Sequence, residues 1–378
     1  MTNDESMTNI PMTNNERGPS GYFGFDYSLL IRHSSFDIRH LHGFDLQTTL
    51  LFGNMQLTRQ EPLMYLTGFA DEAANDLAGQ IRATRELGWQ FIESRNIDGK
   101  NIHDLPEADF DRACEQLAAG GVRVNCFGSA IANWGKKITD PPDSSLAEAR
   151  RAVPRMKKLG TKLVRIMSYA VLDGREADDQ MEQERFARLR ELVKLFADAG
   201  LTPVHENCMN YGGMGWQFTL RMLENVPGLK LVFDTGNPIF SDDRARPKPC
   251  PRQSAWEFYQ QVKPHVAYVH IKDGVWKIGD ATLFSSRDKL TPTSGCNENR
   301  VASPIFTYPG DGQGDVRAIV KDLLDSGFDG GISMEPHLAV VVHDPSVQSE
   351  AAVRYANYVE YGRRFMRLLS DIGHPWKS

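Results

Sequence analysis

Glu206, Asp234, His270 and Glu335 each close a short apolar run, in the strings Val204-His205-Glu206-Asn207, Val232-Phe233-Asp234-Thr235, Val269-His270-Ile271-Lys272 and Ser333-Met334-Glu335-Pro336-His337. Three carboxylates and one imidazole brought together repel one another unless a cation sits among them. Together they are an O/N donor set for one divalent metal ion. Ligand hardness favours Mn²⁺ first, with Mg²⁺, Co²⁺ and Zn²⁺ as alternatives. Such an ion stabilises the enediolate formed when the carbon beside a carbonyl loses a proton. Glu206 and Glu335 then serve twice, as ligands and as the acid/base pair, because no other carboxylate is expected at the site from neighbouring strands.

That set forms only if the four runs are adjacent strands ending at one level. From Tyr65 onward, apolar runs alternate with amphipathic stretches. Strands are expected at 65–70, 89–94, 122–127, 162–168, 202–207, 229–234, 266–272 and 330–335. Helices are expected near 74–87, 107–120, 144–159, 180–199, 216–225, 253–263, 314–326 and 348–370. Gly88, Gly120, Gly160, Gly200 and Gly327 mark helix ends. Eight βα units in series predict a parallel sheet closed into a (β/α)8 TIM barrel over 64–372, whose catalytic groups project from the C-terminal strand ends. An open doubly wound sheet is the rival, but no Gly-rich phosphate turn follows the first strand.

Side-chain alternation sorts the faces. His270 and Lys272 share one face of the seventh strand, and Ser333, Glu335 and His337 one face of the eighth. His205 points away from Glu206 and reads as structural. Arg95, Asn96, Trp134, Lys136, Lys137, Arg165 and His337 are further candidates. Roughly 40 residues, Asp273 to Gln313, separate the seventh strand from its helix, a length that marks a lid or a partner surface.

His205-Glu206-Asn207, Phe233-Asp234-Thr235-Gly236-Asn237, Val269-His270-Ile271-Lys272-Asp273 and Glu335-Pro336-His337 resemble the xylose-isomerase-like TIM barrels, the sugar phosphate isomerase/epimerase group. The Gly-rich run from Pro309 to Asp315 resembles that group's entry into helix seven. The resemblance covers about 65–370. It implies Glu206, Asp234, His270 and Glu335 as metal ligands and Lys272 as a substrate-facing residue. Asn237, His337 and Arg95 join as candidate substrate contacts. Asn237 stands where the epimerase pattern often has His. The phosphodiesterase branch needs further His ligands that strands two and three lack. The implied activity is a metal-dependent isomerase or epimerase on a keto-sugar or related polyhydroxy carbonyl compound. The alternative is a lyase or dehydratase on a keto-inositol or 3-keto glycoside.

Composition agrees with a globular chain: 378 residues, net charge −6, 41% hydrophobic. The acidic balance argues against nucleic-acid binding, and no run is long and apolar enough for a membrane span. Small-molecule carbohydrate is the expected partner, with a homo-oligomer or a second subunit left open. Residues 1–63, with Met-Thr-Asn recurring, read as a poorly ordered extension ahead of an alternative start at Met64. The N-terminus lacks a signal-peptide pattern, and five cysteines without a CxxC pair read as reduced thiols of a cytoplasmic protein.

Overall fold

The computed structural model describes residues 64–172, 174–279, 291–293, 297–341 and 344–376. The chain divides into two units, Met1–Arg59 and Gln60–Ser378, and every described residue belongs to the second. The expected extension over 1–63 lies outside the described residues.

The eight expected strands form: β1 (Tyr65–Gly68), β2 (Phe91–Ser94), β3 (Arg123–Phe127), β4 (Leu163–Ile166), β5 (Thr202–Glu206), β6 (Lys230–Asp234), β7 (Val266–Ile271) and β8 (Gly331–Met334). Among the described residues the eight α-helices are α1 (Leu77–Glu86), α2 (Glu107–Gly120), α3 (Asp143–Leu159), α4 (Glu182–Asp198), α5 (Trp216–Asn225), α6 (Ala255–Val262), α7 (Val316–Asp325) and α8 (Ala351–Asp371). The sheet runs β1-β8-β7-β6-β5-β4-β3-β2, all parallel. Among the described residues, β1 and β2 close the ring through one bridge, Phe69 to Glu93, with the Tyr65 and Phe91 rings 4.7 Å apart below it. This is a nearly closed TIM barrel.

Local chemistry starts and stops the helices. Asp76 accepts from the Gly79 amide at 2.8 Å to cap α1, and Ser254 from the Glu257 amide at 3.1 Å to cap α6. Gly160 ends α3 at φ 70. The expected stop at Gly120 is corrected by one residue: Gly121 takes the left-handed turn at φ 62 and Gly120 stays helical. Gly120 is glycine for packing, since a Cβ there would lie 2.7 Å from Ile81.

Outward strand residues pack under the helices, as Phe233 does against Phe258 and Tyr259 of α6. The barrel interior holds a small apolar cluster, Cys126, Val204, Val232 and Tyr268. Beside it runs a buried hydrogen-bonded chain from Thr67 through Asn125 and Tyr268 to Glu93. The long connection after β7 is not plain loop. Gly274–Gly279 pairs antiparallel with Asn297–Phe306, and Thr291–Thr293 pairs with the same strand.

Cys114, Cys126 and Cys208 are free thiols, but Cys250 is disulfide-bonded. The expectation of five reduced thiols is corrected, because spacing along the chain says nothing about which distant cysteines meet. Among the described residues no helix is long and apolar enough to cross a membrane.

His103 is buried, and neither ring nitrogen has a hydrogen-bond partner. Burial, helped by Arg151, Lys136 and Arg155 against Asp104, lowers its pKa from 6.5 to about 4. Below pH 6.5 the unfolded chain therefore binds a proton that the folded chain refuses until about pH 4. The stability His103 contributes is complete above pH 6.5 and is lost as pH falls toward 4. Wild type should lose stability on acidification across this window more steeply than His103→Gln, by up to about 1.4 kcal/mol per pH unit. Urea titrations of both proteins at several pH values measure it; equal slopes refute it.

Candidate metal centre

Period-two alternation carries the expected residues to the barrel mouth. Glu206 ends β5 facing inward. His205 faces the helices, where Nε2 lies 3.0 Å from Ser168 Oγ and the ring covers Gly212, so it is structural as expected. Asp234 ends β6. Its backbone is held by the Asn207 side chain, which accepts from its N–H at 2.7 Å and donates to its carbonyl at 3.0 Å. Its Oδ1 accepts from the Gly236 and Asn237 amides, which leaves Oδ2 free to turn inward. His270 on β7 lies beside Ser333 of β8, and Glu335 follows β8 directly.

One donor atom from each of Glu206, Asp234, His270 and Glu335 lies within 4.8 Å of the other three, and all four residues are buried. Asp234 Oδ2, His270 Nδ1 and Glu335 Oε2 accept no hydrogen bond. Two buried carboxylate oxygens and a ring nitrogen, none hydrogen-bonded and all close together, are donors that fit a divalent cation, which would displace the Nδ1 proton and compete with the Lys272 ammonium. The opposite nitrogen of His270, Nε2, sits 3.0 Å and 3.2 Å from the two Glu93 oxygens. A carboxylate there holds the proton on Nε2 and aims Nδ1 into the site, where a bound ion would displace the second proton. Phe69 sets the ring from the side, edge-on at 5.0 Å.

Cations surround the quartet. Arg165 Nη1 donates to Glu206 Oε2 at 2.9 Å, and Asn237 Nδ2 to Glu206 Oε1 at 3.0 Å. Arg95 bonds Asp71 through Nε and Nη2, Glu72 through Nη2, and Glu335 through Nη1 at 2.8 Å. Both guanidiniums lie on the Phe69 ring, at 4.3 Å and 5.0 Å. The Lys272 ammonium is 2.7 Å from Glu335 Oε2 and 3.1 Å from Asp234 Oδ2, off the hydrogen-bonding direction of each, and donates to Asn237 Oδ1 at 3.1 Å.

Burial would raise every carboxyl pKa here, and the neighbours decide which stay ionised. Arg165 and His270 overcome burial at Glu206 and bring it down to about 2. Lys272, His337 and Arg95 overcome it at Glu335, which falls well below its usual value. At Asp234 burial prevails over Lys272, and the pKa rises to about 6. His270 is the converse: burial disfavours its charge, but Glu93 and Glu206 raise it to about 10.

The structure brings together all the expected ligands with Lys272, Asn237, His337 and Arg95. Arg165 also belongs, whereas Lys136 pairs with Glu148 and Lys137 is exposed. His337 adopts φ 52, so its placement comes from a turn rather than strand alternation. Its Nδ1 is 2.9 Å from Glu72 and its Nε2 3.6 Å from Glu335. The expectation that no other carboxylate reaches the mouth is corrected: Asp71, Glu72 and Glu93 all do, each buried. Six carboxylates face Arg95, Arg165, Lys272 and a His270 that is itself cationic, which still leaves an excess of carboxylates that a divalent ion would offset. Glu93 was open to the alternation rule, since it shares a face with Arg95. Asp71 and Glu72 follow β1 in a short helical turn, Ala70–Glu72, where alternation carries no signal.

The Gly-rich run has its own anchor. Asp273, just past Lys272, accepts from the amides of Gly274, Gly310, Gly312 and Gly314 at 2.8–3.0 Å. A Cβ on Gly312 would lie 2.2 Å from the Asp273 carboxylate, so this loop can only close around it as glycine.

The family model of the xylose isomerase-like TIM barrel matches residues 81–357. An inosose dehydratase of Clostridium botulinum is 25% identical over 201 residues, 51% of this chain and 59% of that protein. The chain thus matches less than two thirds of the length of that relative. A xylose isomerase-like TIM barrel protein of Mycobacterium smegmatis, solved in complex with magnesium, superposes with TM-score 0.56 at 16% identity, covering 82% of this chain and 97% of that one. The 3-keto-D-glucoside 4-epimerase of E. coli superposes with TM-score 0.51 at 15% identity, covering 80% and 99%.

Proposed function

Since the chain belongs to the xylose isomerase-like TIM barrel family, we propose that it removes the proton α to the carbonyl of a polyhydroxy ketone, with a divalent ion held by Glu206, Asp234, His270 and Glu335. When bound, the ion polarises the carbonyl and stabilises the charge that develops on its oxygen. Mn²⁺ and Mg²⁺ suit the three oxygen donors best.

The observation that carries the reading is the guanidinium on each glutamate, Arg165 on Glu206 and Arg95 on Glu335. Both carboxylates are held as anions. Glu206 is the base. Glu335 is a poor proton source, because Arg95, Lys272 and His337 all favour its ionised form. The N–H donor on that side is the Lys272 ammonium, whose proton Asp234, Glu335 and Glu206 hold firmly against burial, so it offers a hydrogen bond and positive charge. Epimerisation through paired glutamates needs one of them protonated. Elimination of a β-hydroxyl needs a base for the α proton and a positive centre for the departing hydroxide; Glu206 is the anion, and the Lys272 ammonium, beside a bound ion, would supply the positive charge. The dehydratase outcome is therefore the first reading, and the inosose dehydratase relatives support it. Isomerisation or epimerisation shares the first step and is the second.

The test is proton NMR in deuterated water with Mg²⁺, using a keto-inositol, a 3-keto glucoside and an open-chain ketose. Exchange of the α hydrogen with growth of a dehydrated product is expected, and chelation should stop both. A stereoisomer with no unsaturated product would select the epimerase. Absence of exchange with every ketone overturns the proposal.

A further inference from the structure

The antiparallel ribbon after β7 has an apolar face. Its register sets Gly274 opposite Phe306 and Trp276 opposite Pro304, and alternation puts these four on one side. Gly274 leaves room for Phe240 from the loop after β6; a Cβ there would lie 2.6 Å from that ring. Phe240 then joins the two ribbon aromatics, edge-on to Trp276 at 5.5 Å and to Phe306 at 5.2 Å. Phe306 meets His337 edge-on at 5.0 Å, and His337 reaches Glu335 at 3.6 Å. The aromatic chain therefore ends one side chain away from the candidate ligands.

Trp276 and Phe306 are partly exposed and belong to neither apolar cluster of the barrel. They are nonetheless fixed in orientation. Trp276 donates its indole N–H to the Ile239 carbonyl, and the Arg252 guanidinium stacks on its ring at 4.0 Å. Rigid aromatic surface over a charged site suits a ligand with a polar rim and an apolar face. A ring of C–H bonds presents such a face. An open-chain polyol has no fixed face and would have to be ordered at the cost of its own conformational freedom.

We propose that Trp276 and Phe306 are specificity residues that receive the carbon face of a cyclic polyol, so that the site takes a pyranoside or cyclitol ketone in preference to an open-chain ketose. This rests on the proposed α-proton chemistry for its ketone, but not for its binding face.

Saturation-transfer NMR on the full chain with Mg²⁺ tests it, with methyl β-D-glucopyranoside and myo-inositol as ring probes and sorbitol as the open-chain probe. The ring probes should bind more tightly than sorbitol, with saturation strongest at their C–H protons. Phe306→Leu and Trp276→Leu should each weaken ring binding roughly three- to tenfold, the scale of one aromatic contact, and leave sorbitol unchanged. Circular dichroism and Mg²⁺ affinity confirm that each variant is folded; should Trp276→Leu unfold, Phe306→Leu carries the test. Equal affinity for sorbitol, no saturation of either ring probe, or unchanged ring binding in a folded variant overturns the proposal. If ring binding depends on the aromatics while no ketone exchanges its α hydrogen, the catalytic reading fails and this one stands. If exchange occurs without that dependence, only this one fails.

Discussion

Glu206→Gln at saturating metal should lose roughly 10²-fold or more in kcat, the scale of a removed general base. The exchange is less neutral than its shape suggests. Glu206 accepts from two donors, Arg165 at Oε2 and Asn237 at Oε1. An amide can offer its single oxygen to only one of them and must turn its NH₂ toward the other. Metal affinity should therefore fall too, which is why the comparison needs saturating ion. Glu335→Gln can keep its oxygen on Arg95, but its NH₂ then sits against the Lys272 ammonium. Its α-hydrogen exchange should be slowed less than in Glu206→Gln if Glu206 is the base. Calorimetric metal titration followed by kcat and exchange rates separates binding from chemistry. Wild-type turnover in both variants would move the base elsewhere, with Lys272 or His337 next in line.

Arg95→Met should destabilise the barrel by about 3–5 kcal/mol, the cost of leaving buried charge without its partner. The guanidinium serves Asp71, Glu72 and Glu335 at once, and all four side chains are buried. Burial pushes the Asp71 pKa up even with Arg95 in contact, so without it that carboxyl is held ionised by little else. Arg95→Lys should recover part of the loss, since a point charge cannot repeat the two-pronged contact with Asp71. Urea unfolding of the three proteins measures this, and a loss under about 1 kcal/mol in Arg95→Met would contradict it. The same contacts bear on the expected substrate role of Arg95. Its donors are taken up by protein carboxylates, so we propose that it positions Glu335.

Every barrel strand and helix was legible because each is a local pattern. Apolar runs and glycine stops placed all eight pairs, with errors of a few residues at the ends, as at Gly121. The convergence of Glu206, Asp234, His270 and Glu335 was legible for the same reason: it needs only strand ends and a period of two. The rest of the site is written in pairings between distant positions. Arg95 meets Asp71 24 residues away and Glu335 240 residues away. No local spacing distinguishes an acid that will be buried beside an arginine from one that will face water. The ribbon was hidden differently. The pairing of Gly274 with Phe306 spans a stretch that its length marked only as a lid or partner surface.

The single bridge between Phe69 and Glu93 gives the barrel a mechanical character. Around the rest of the circumference several backbone bonds share any hoop tension between neighbouring strands. At this seam the load falls on one link, backed by side-chain contact. Glu93 is half of that link and also the anchor of His270. The weakest backbone link of the cylinder therefore lies at the residue that fixes the His270 imidazole, so the seam and the candidate metal centre share one anchor.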